Sequence, residues 1–271
     1  MTTRSESLVV EGLSKRYGGH PAVDDVSFTV APGASLGLVG ESGSGKTTTV
    51  RMLAGLERPD GGTVRIGARD RSTPARGRAE RLARAREVQM VFQDPYLSLD
   101  PRVPVGRCVA EVLRLHFPRL SDHRARVTEL LAQVGLGDHE AAALPARLSG
   151  GQRQRVAIAR ALAARPRFLI LDEAVAALDV SIQAQVLELL NTIRTREGIG
   201  FLFVTHDLAV ARHTTDALLV LKSGRAVEQG PTPQVLTTPA HPYTRLLLDS
   251  VPHRGWDPAG AAAARRALEG V

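Results

Sequence analysis

The amino-acid sequence predicts an α/β fold around a largely parallel β-sheet. Apolar runs that look like strands recur along the chain, and helical patterns separate most of them. Strands that alternate with helices are typical of a parallel sheet. The predicted strands cover residues 26–30, 36–39, 63–66, 88–92, 168–171, 201–204 and 218–221. A turn at Ala31-Pro32-Gly33 joins the first two strands, and a helix is predicted over residues 46–56.

A helical subdomain is predicted as an insertion between two strands of this sheet. Residues 94–162 show no strand pattern, and apolar residues recur within them at helical spacing. These residues are Val127, Leu130, Leu131 and Val134.

The domain boundaries follow from these patterns. We expect one main domain over residues 1–250, with the helical subdomain inserted at about 94–162. The tail, 251–271, is rich in Ala and Arg and has little to bury. Residues 73–86 are also rich in Arg and Ala, and we expect them to form an exposed connection.

Length and composition indicate a globular protein with room for a core. The chain has 271 residues, of which 43% are hydrophobic and 23% charged, and this excludes disorder and fibres. No stretch approaches the roughly 20 apolar residues that span a bilayer, and the first residues lack the apolar core of a secretion signal. Cys108 is the single cysteine, which excludes an intramolecular disulfide and a multi-cysteine metal site. A cytoplasmic location is therefore expected.

The net charge of +7 raises the possibility of a nucleic-acid partner, because clustered Lys and Arg neutralise phosphates. The only lysines are Lys15, Lys46 and Lys222, and the arginines are spread along the chain without interleaved aromatic residues. No nucleic-acid partner is therefore expected, and a solvated surface is the preferred interpretation.

A phosphate-binding loop is predicted between the strand 36–39 and the helix that follows it. The segment matches the pattern G-x-x-x-x-G-K-[ST], in which backbone N–H groups and a helix N-terminus face a polyphosphate. Lys46 would neutralise the terminal phosphates, and Thr47 would bind Mg²⁺. The residues predicted to contact the nucleotide here are Gly40, Glu41, Ser42, Gly43, Ser44, Gly45, Lys46, Thr47 and Thr48.

Two adjacent carboxylates follow the predicted strand 168–171. Asp172 would lie beside the phosphate-bound Mg²⁺, and Glu173 would polarise a water molecule for attack on the γ-phosphate. An Asp-Glu pair that caps the start of a helix is the structural alternative.

Residues 148–152 read LSGGQ, and with this segment the chain resembles the ABC ATPase superfamily, whose signature motif it matches. A helix is predicted over 152–164, so Ser149, Gly150, Gly151 and Gln152 would present a second helix N-terminus to a γ-phosphate. A serine N-cap with a glycine turn is the structural alternative.

The resemblance assigns further roles to single residues. Tyr17 resembles the aromatic residue that stacks on adenine, and Asp179 matches the D-loop aspartate. Gln93 matches the Q-loop glutamine, which implies roles in catalysis and in metal binding, and His206 matches the catalytic switch histidine.

Three other segments resemble the oligopeptide, dipeptide and nickel importer branch. They read QDPYLSLDPR from residue 93, DVSIQAQVL from residue 179 and HPYT from residue 241. Apart from Gln93 and Asp179, the residues of these segments are not required for catalysis. Many superfamily members have Pro-Thr-Ser where this chain has Ala174-Val175-Ala176.

The resemblance implies a P-loop NTPase fold of the ABC ATPase type, with a mixed or parallel core sheet and ATP and Mg²⁺ as cofactors. It implies that two such domains, in a homodimer or with a paralogue, enclose two ATP molecules. Two transmembrane permease subunits would be the further partners, so that the chain is peripheral on the cytoplasmic face of the cell membrane.

The sequence is compatible with several functions. An importer subunit for di- or oligopeptides is preferred, and nickel or another small solute is the alternative cargo. A soluble ABC ATPase that acts on nucleic acid or ribosomes and an inactive regulatory module are the other classes. The intact Glu173 and His206 argue against the inactive module.

Overall fold

The computed structural model describes residues 6–94 and 98–250. The strands are β1 (Leu8–Tyr17), β2 (His20–Val30), β3 (Ser35–Val39), β4 (Gly61–Ile66), β5 (Arg69–Asp70), β6 (Val88–Val91), β7 (Phe168–Asp172), β8 (Gly200–Thr205), β9 (Ala217–Lys222) and β10 (Arg225–Pro231). The helices are α1 (Lys46–Ala54), α2 (Arg78–Glu87), α3 (Val105–His116), α4 (His123–Gln133), α5 (Asp138–Ala142), α6 (Gly150–Ala163), α7 (Val180–Glu197), α8 (Leu208–Thr214), α9 (Thr232–Thr237) and α10 (Pro242–Asp249). Among these helices, none has both the length and the hydropathy of a membrane span.

The main sheet has six strands in the order β10-β9-β3-β8-β7-β6. All neighbouring strands are parallel except β10, which pairs antiparallel with β9. Every residue of β3 and β8 is buried, as expected for central strands with both faces covered. The predicted α/β fold with a mixed, largely parallel sheet is therefore confirmed.

The register of this sheet places the predicted site residues at one edge. Val39 pairs with Thr205, and Asp172 pairs with Val204. The strands β3, β7 and β8 therefore end together, so the segments that follow them leave the sheet side by side.

A second, antiparallel sheet has the order β2-β1-β4-β5. The predicted strands 26–30 and 63–66 belong to it, whereas β1 has no counterpart among the predicted strands. Gly12 has φ of 61°, and the pairing of β1 with β2 changes register between Val10 and Leu13. This irregularity shifts the alternation of buried and exposed residues, which is why the pattern in β1 is hard to recognise.

The helices α3 to α6 lie between β6 and β7, in the region of the predicted helical subdomain. The four residues whose spacing predicts a helix are buried in it, and they pack with Val109 and Leu113 of α3 in one hydrophobic cluster. The same cluster includes Leu169 and Leu171 of β7, so the subdomain and one face of the main sheet share a core.

Two sequence-based expectations need correction, and one strand of the main sheet has no predicted counterpart. Residues 73–86 are not only a connection, because α2 begins at Arg78, and Arg84 donates hydrogen bonds to backbone carbonyl groups of the preceding loop. The first helix ends at Ala54, because Gly55 adopts a left-handed conformation that terminates it. The strand β10 was not predicted. The tail, 251–271, lies outside the described residues.

Candidate nucleotide-binding site

The loop between β3 and α1 is shaped by three glycines with positive φ, at Gly40, Gly43 and Gly45. A Cβ at Gly40 would lie 2.3 Å from the carbonyl oxygen of Leu221, and one at Gly45 would lie 2.4 Å from that of Ala22. A Cβ at Gly43 would meet no atom within 4 Å. The surrounding backbone therefore leaves no room for a side chain at Gly40 and Gly45, whereas Gly43 faces open space.

The N-terminus of α1 presents positive charge at this loop. Gly45 is the N-cap, so no side chain accepts a hydrogen bond from the first turn of the helix. Lys46 is only 6% exposed, and its Nζ donates hydrogen bonds of 2.7 Å to the carbonyl oxygens of Gly40 and Glu41. Burial lowers the pKa of Lys46, while the nearby carboxylates, first Glu173 and then Asp172, oppose this shift. The ammonium group thus lies inside the loop, beside the two acids.

A cavity of about 540 Å³ opens over this loop. Seven of the nine loop residues predicted to contact the nucleotide line it, together with two of the three predicted catalytic residues. The lining residues are Ala22, Glu41, Ser42, Gly43, Gly45, Lys46, Thr47, Thr48, Glu173 and His206. Nothing in the sequence marks Ala22 as a lining residue, because it contributes only its position in β2 and no reactive group.

Asp172 and Glu173 lie where β7 leaves the sheet. Glu173 adopts a left-handed φ of 49°, and its N–H donates a 2.9 Å hydrogen bond to the carbonyl oxygen of Val204. Such a conformation is unfavourable for a residue with a side chain, and active sites are among the places where it occurs. No helix starts at this pair, since α7 begins at Val180, so the helix-cap alternative is wrong. Burial raises the pKa of Asp172, and the charge of Glu173 raises it further.

The carboxylate of Glu173 is oriented by the histidine after β8. Nδ1 of His206 lies 3.0 Å from Oε1 of Glu173, and the side chains of His206 and Glu173 are 61% and 23% exposed. Asp207 accepts hydrogen bonds from the N–H groups of Ala209 and Val210 and so caps α8. His206 is thereby held at the end of β8, with its ring between the acid and solvent.

Gln93 and Tyr17 lie at the periphery of this arrangement. Gln93 is exposed and follows the end of β6 by two residues. Val91, the last residue of β6, pairs with Leu171 of β7, so Gln93 lies beyond the same edge of the sheet as Asp172. Tyr17 ends β1, and its ring centroid lies 5.5 Å from Nζ of Lys15. Within the described ranges, neither side chain lines the cavity.

The segment around Ser149 forms the start of α6. The Ser149 Oγ accepts a hydrogen bond from the Gln152 N–H, and the Gln152 Oε1 accepts one from the Ser149 N–H. The helix therefore begins at Gly150, two residues earlier than predicted, and the capping interpretation describes the local structure. Ser149 is nevertheless exposed, so its hydroxyl and the helix N-terminus face solvent.

The Ser149 segment contacts the region around Asp179. A Cβ at Gly150 would lie 3.7 Å from Leu178, and one at Gly151 would lie 2.5 Å from Cγ2 of Ile182. Asp179 is exposed at the N-cap of α7. In the part of the chain that the structure describes, none of these residues lines the cavity at Lys46, so one chain presents two separate groups of predicted site residues.

The residues present at the cavity fit a nucleoside triphosphate with a magnesium ion. The uncapped helix start and Lys46 suit phosphate oxygens. The described residues contain no group of three His, Cys, Asp or Glu side chains that could hold a metal by themselves. Of the predicted metal ligands, Thr47 lines the cavity, whereas Gln93 and Asp172 follow or end neighbouring strands at the same edge of the sheet without lining it. A hydroxyl, an amide and one carboxylate form a set that Mg²⁺ accepts when phosphate oxygens and water complete it.

The sequence is similar to ATP-binding subunits of peptide transporters. The oligopeptide transport ATP-binding protein OppD of Mycobacterium tuberculosis is 46% identical over 247 residues, which are 91% of this chain and 40% of OppD. The glutathione import ATP-binding protein GsiA of Escherichia coli is 47% identical over 233 residues, which are 85% of this chain and 37% of GsiA. The chain thus spans less than half the length of these relatives.

Solved structures with the same fold include two ABC cassettes. A dimeric structure of the ATP-binding cassette MJ0796 bound to ADP and Pi has a TM-score of 0.73 and 28% identity, and the match covers 83% of this chain and 98% of that one. The structure of cbiO1 from Clostridium perfringens, part of the ABC transporter complex cbiONQ, has a TM-score of 0.75 and 28% identity, with 85% and 90% covered. The fold is therefore that of an ABC ATPase.

Two family models match the sequence. Residues 227–267 match the C-terminal region of the oligopeptide/dipeptide transporter family. Residues 23–176, more than half of the chain, match the ABC transporter model, and the chain belongs to the ABC transporter family.

Proposed function

We propose that the chain binds and hydrolyses ATP and powers the import of peptides through separate membrane permease subunits. The observation that carries the ATPase proposal is that Lys46, Glu173 and His206 line one cavity together. Within it, a phosphate-binding loop faces a carboxylate whose orientation is fixed by a histidine 3.0 Å away.

Each residue has a defined task in this mechanism. The N–H groups at the start of α1 and the ammonium of Lys46 bind the β- and γ-phosphates of ATP. Thr47, Gln93 and Asp172 would hold Mg²⁺, which supplies charge neutralisation on the phosphates when it is bound.

Glu173 accepts a proton from the attacking water. As the bond from the water oxygen to the γ-phosphorus forms, the bond to the β–γ bridging oxygen breaks, and ADP and phosphate are released. His206 keeps the carboxylate of Glu173 directed towards the cavity. Tyr17 would stack on the adenine base.

Two chains would complete each site. Ser149 and Asp179 lie away from the cavity of their own chain, so the exposed N-terminus of α6 is available to a nucleotide bound at Lys46 of a second copy or of a paralogue. Closure around ATP and reopening after hydrolysis would drive the permeases, with the chain at the cytoplasmic face of the membrane.

A peptide is proposed as cargo because of the C-terminal segment. Residues 227–267 match the oligopeptide/dipeptide transporter family, and the similar proteins OppD and GsiA are named for oligopeptide transport and glutathione import. Nickel or another small solute is the alternative within the same branch. Uptake of labelled di- and oligopeptides should fall when the gene is deleted, and loss of nickel uptake alone would contradict the peptide proposal.

The ATPase proposal is tested with Glu173→Gln, which keeps the size of the side chain and removes the proton acceptor. We expect the variant to bind MgATP as the wild type does and to lose at least about 100-fold in hydrolysis rate. Glu129→Gln, a change at an exposed carboxylate of α4, is the matched control and should keep the wild-type rate. Equal ATPase rates for wild type and Glu173→Gln would refute the assigned role.

A further inference from the structure

The segment HPYT, residues 241–244, builds the start of α10 on strand β10. Nδ1 of His241 accepts a 3.1 Å hydrogen bond from the N–H of Tyr243, and Pro242 occupies the first turn. The carboxylate of Glu228, in β10, accepts hydrogen bonds from the N–H groups of Ala240 at 2.8 Å and His241 at 3.1 Å. The position of Tyr243 is therefore fixed by its own helix cap and by the edge strand.

From this position Tyr243 reaches the phosphate-binding loop. Its side chain is only 2% exposed and packs in one cluster with Val39, at the end of β3, and Val220 of β9. Its hydroxyl oxygen accepts a 3.2 Å hydrogen bond from the N–H of Glu41, a residue 202 positions earlier in the chain. Nζ of Lys222 lies 5.1 Å from its ring centroid. The C-terminal helix thus touches the loop directly.

Glu41 in turn contacts the nucleotide-binding lysine. Its carbonyl oxygen accepts the 2.7 Å hydrogen bond from Nζ of Lys46, and Glu41 lines the cavity. A loop with three positive-φ glycines is costly to order, so a contact that fixes one of its peptide groups reduces the cost of binding a ligand there. The hydrogen bond from Glu41 to Tyr243 has that effect on the peptide next to the Lys46 ammonium.

We propose that Tyr243 is a positioning residue of the nucleotide site, which acts through Glu41 on the loop that binds the phosphates. This proposal rests on the proposed binding of ATP at Lys46. It gives the HPYT segment a role that its sequence alone does not disclose: the C-terminal region typical of this transporter branch supports the nucleotide site of its own chain. This role needs the hydroxyl of Tyr243, which accepts the hydrogen bond from the Glu41 N–H.

The test is Tyr243→Phe, which keeps the ring in the core and removes the acceptor for the Glu41 N–H. Thr232→Val is the matched control, because it also removes one buried hydroxyl from the C-terminal part of the chain, where Oγ1 of Thr232 pairs with that of Thr215 at 2.9 Å. Hydrogen exchange at Glu41 without nucleotide and the affinity for MgATP are measured for all three proteins.

We expect Tyr243→Phe to speed exchange of the Glu41 amide and to weaken MgATP binding by about threefold to tenfold, the range for loss of one hydrogen bond. Thr232→Val should leave both unchanged. If the wild type binds MgATP, and Tyr243→Phe has the same affinity for MgATP and the same exchange rate of the Glu41 amide, the positioning role is wrong. Equal effects of both substitutions would show a structural role only. Failure of wild type itself to bind MgATP would instead refute the proposed function.

Discussion

The glycines of the phosphate-binding loop should respond differently to the same substitution. Gly43→Ala places a methyl group in open space, so its cost is the left-handed conformation alone, about 1 kcal/mol. In Gly40→Ala the new methyl group would lie 2.3 Å from the Leu221 carbonyl oxygen and 2.8 Å from Oγ of Ser44. Backbone must then move, which adds about 2 kcal/mol for overpacking to the conformational cost. The free energy of unfolding should therefore fall by about 3 kcal/mol.

Thermal unfolding without nucleotide measures this difference. A change of 1 kcal/mol shifts Tm by roughly 3 °C in a domain of this size, so we expect decreases of about 3 °C for Gly43→Ala and about 9 °C for Gly40→Ala. MgATP affinity should fall in the milder variant too, because Gly43 lines the cavity and its methyl group would occupy part of it. Equal Tm values for the two variants, or a larger loss for Gly43→Ala, would refute the packing argument.

Three further substitutions test other parts of the structure. Lys46→Ala should abolish MgATP binding measured by isothermal titration, since the loop loses its ammonium group, and wild-type affinity would overturn the loop assignment. Ser149→Arg should abolish ATP hydrolysis but leave MgATP binding intact, and an unchanged rate would contradict the two-chain site. Burial and the charge of Arg86 lower the pKa of His116, so its neutral form favours the fold. As pH falls below about 6.5, the Tm of the wild type should therefore decrease more than the Tm of His116→Gln. Equal decreases would refute this role of His116.

The main sheet was predictable from sequence because its strands are buried on both faces. Such strands are continuous apolar runs, as in 36–39 and 201–204, and these stand out from the helices between them. The antiparallel strand β1 was missed because Gly12 interrupts its alternation. The helix α2 was missed because its composition, rich in Arg and Ala, carries no apolar stripe from which a helix could be recognised.

The candidate site was predictable only where its residues are contiguous or follow a strand. The loop from Gly40 to Thr48 and the pair Asp172-Glu173 are local patterns, and the sheet register brings them to one edge. The pairing of Glu173 with His206 depends on a side-chain distance, and the left-handed φ of Glu173 depends on its hydrogen bond to Val204. Neither has a sequence signal of its own.

Tyr243 shows most clearly what sequence patterns leave out. The HPYT segment could be recognised as typical of a transporter branch, yet its spacing shows only that a proline begins a helix. Because β9 lies next to β3 in the sheet, α10, the second helix after β10, lies near the end of β3, where the phosphate loop begins, and its Tyr243 contacts Glu41 there. A residue near the end of the described chain can therefore affect a loop near its beginning, through the hydrogen bond between the Glu41 N–H and the Tyr243 hydroxyl oxygen. Substitutions along α10 should for this reason be judged by nucleotide affinity as well as by stability.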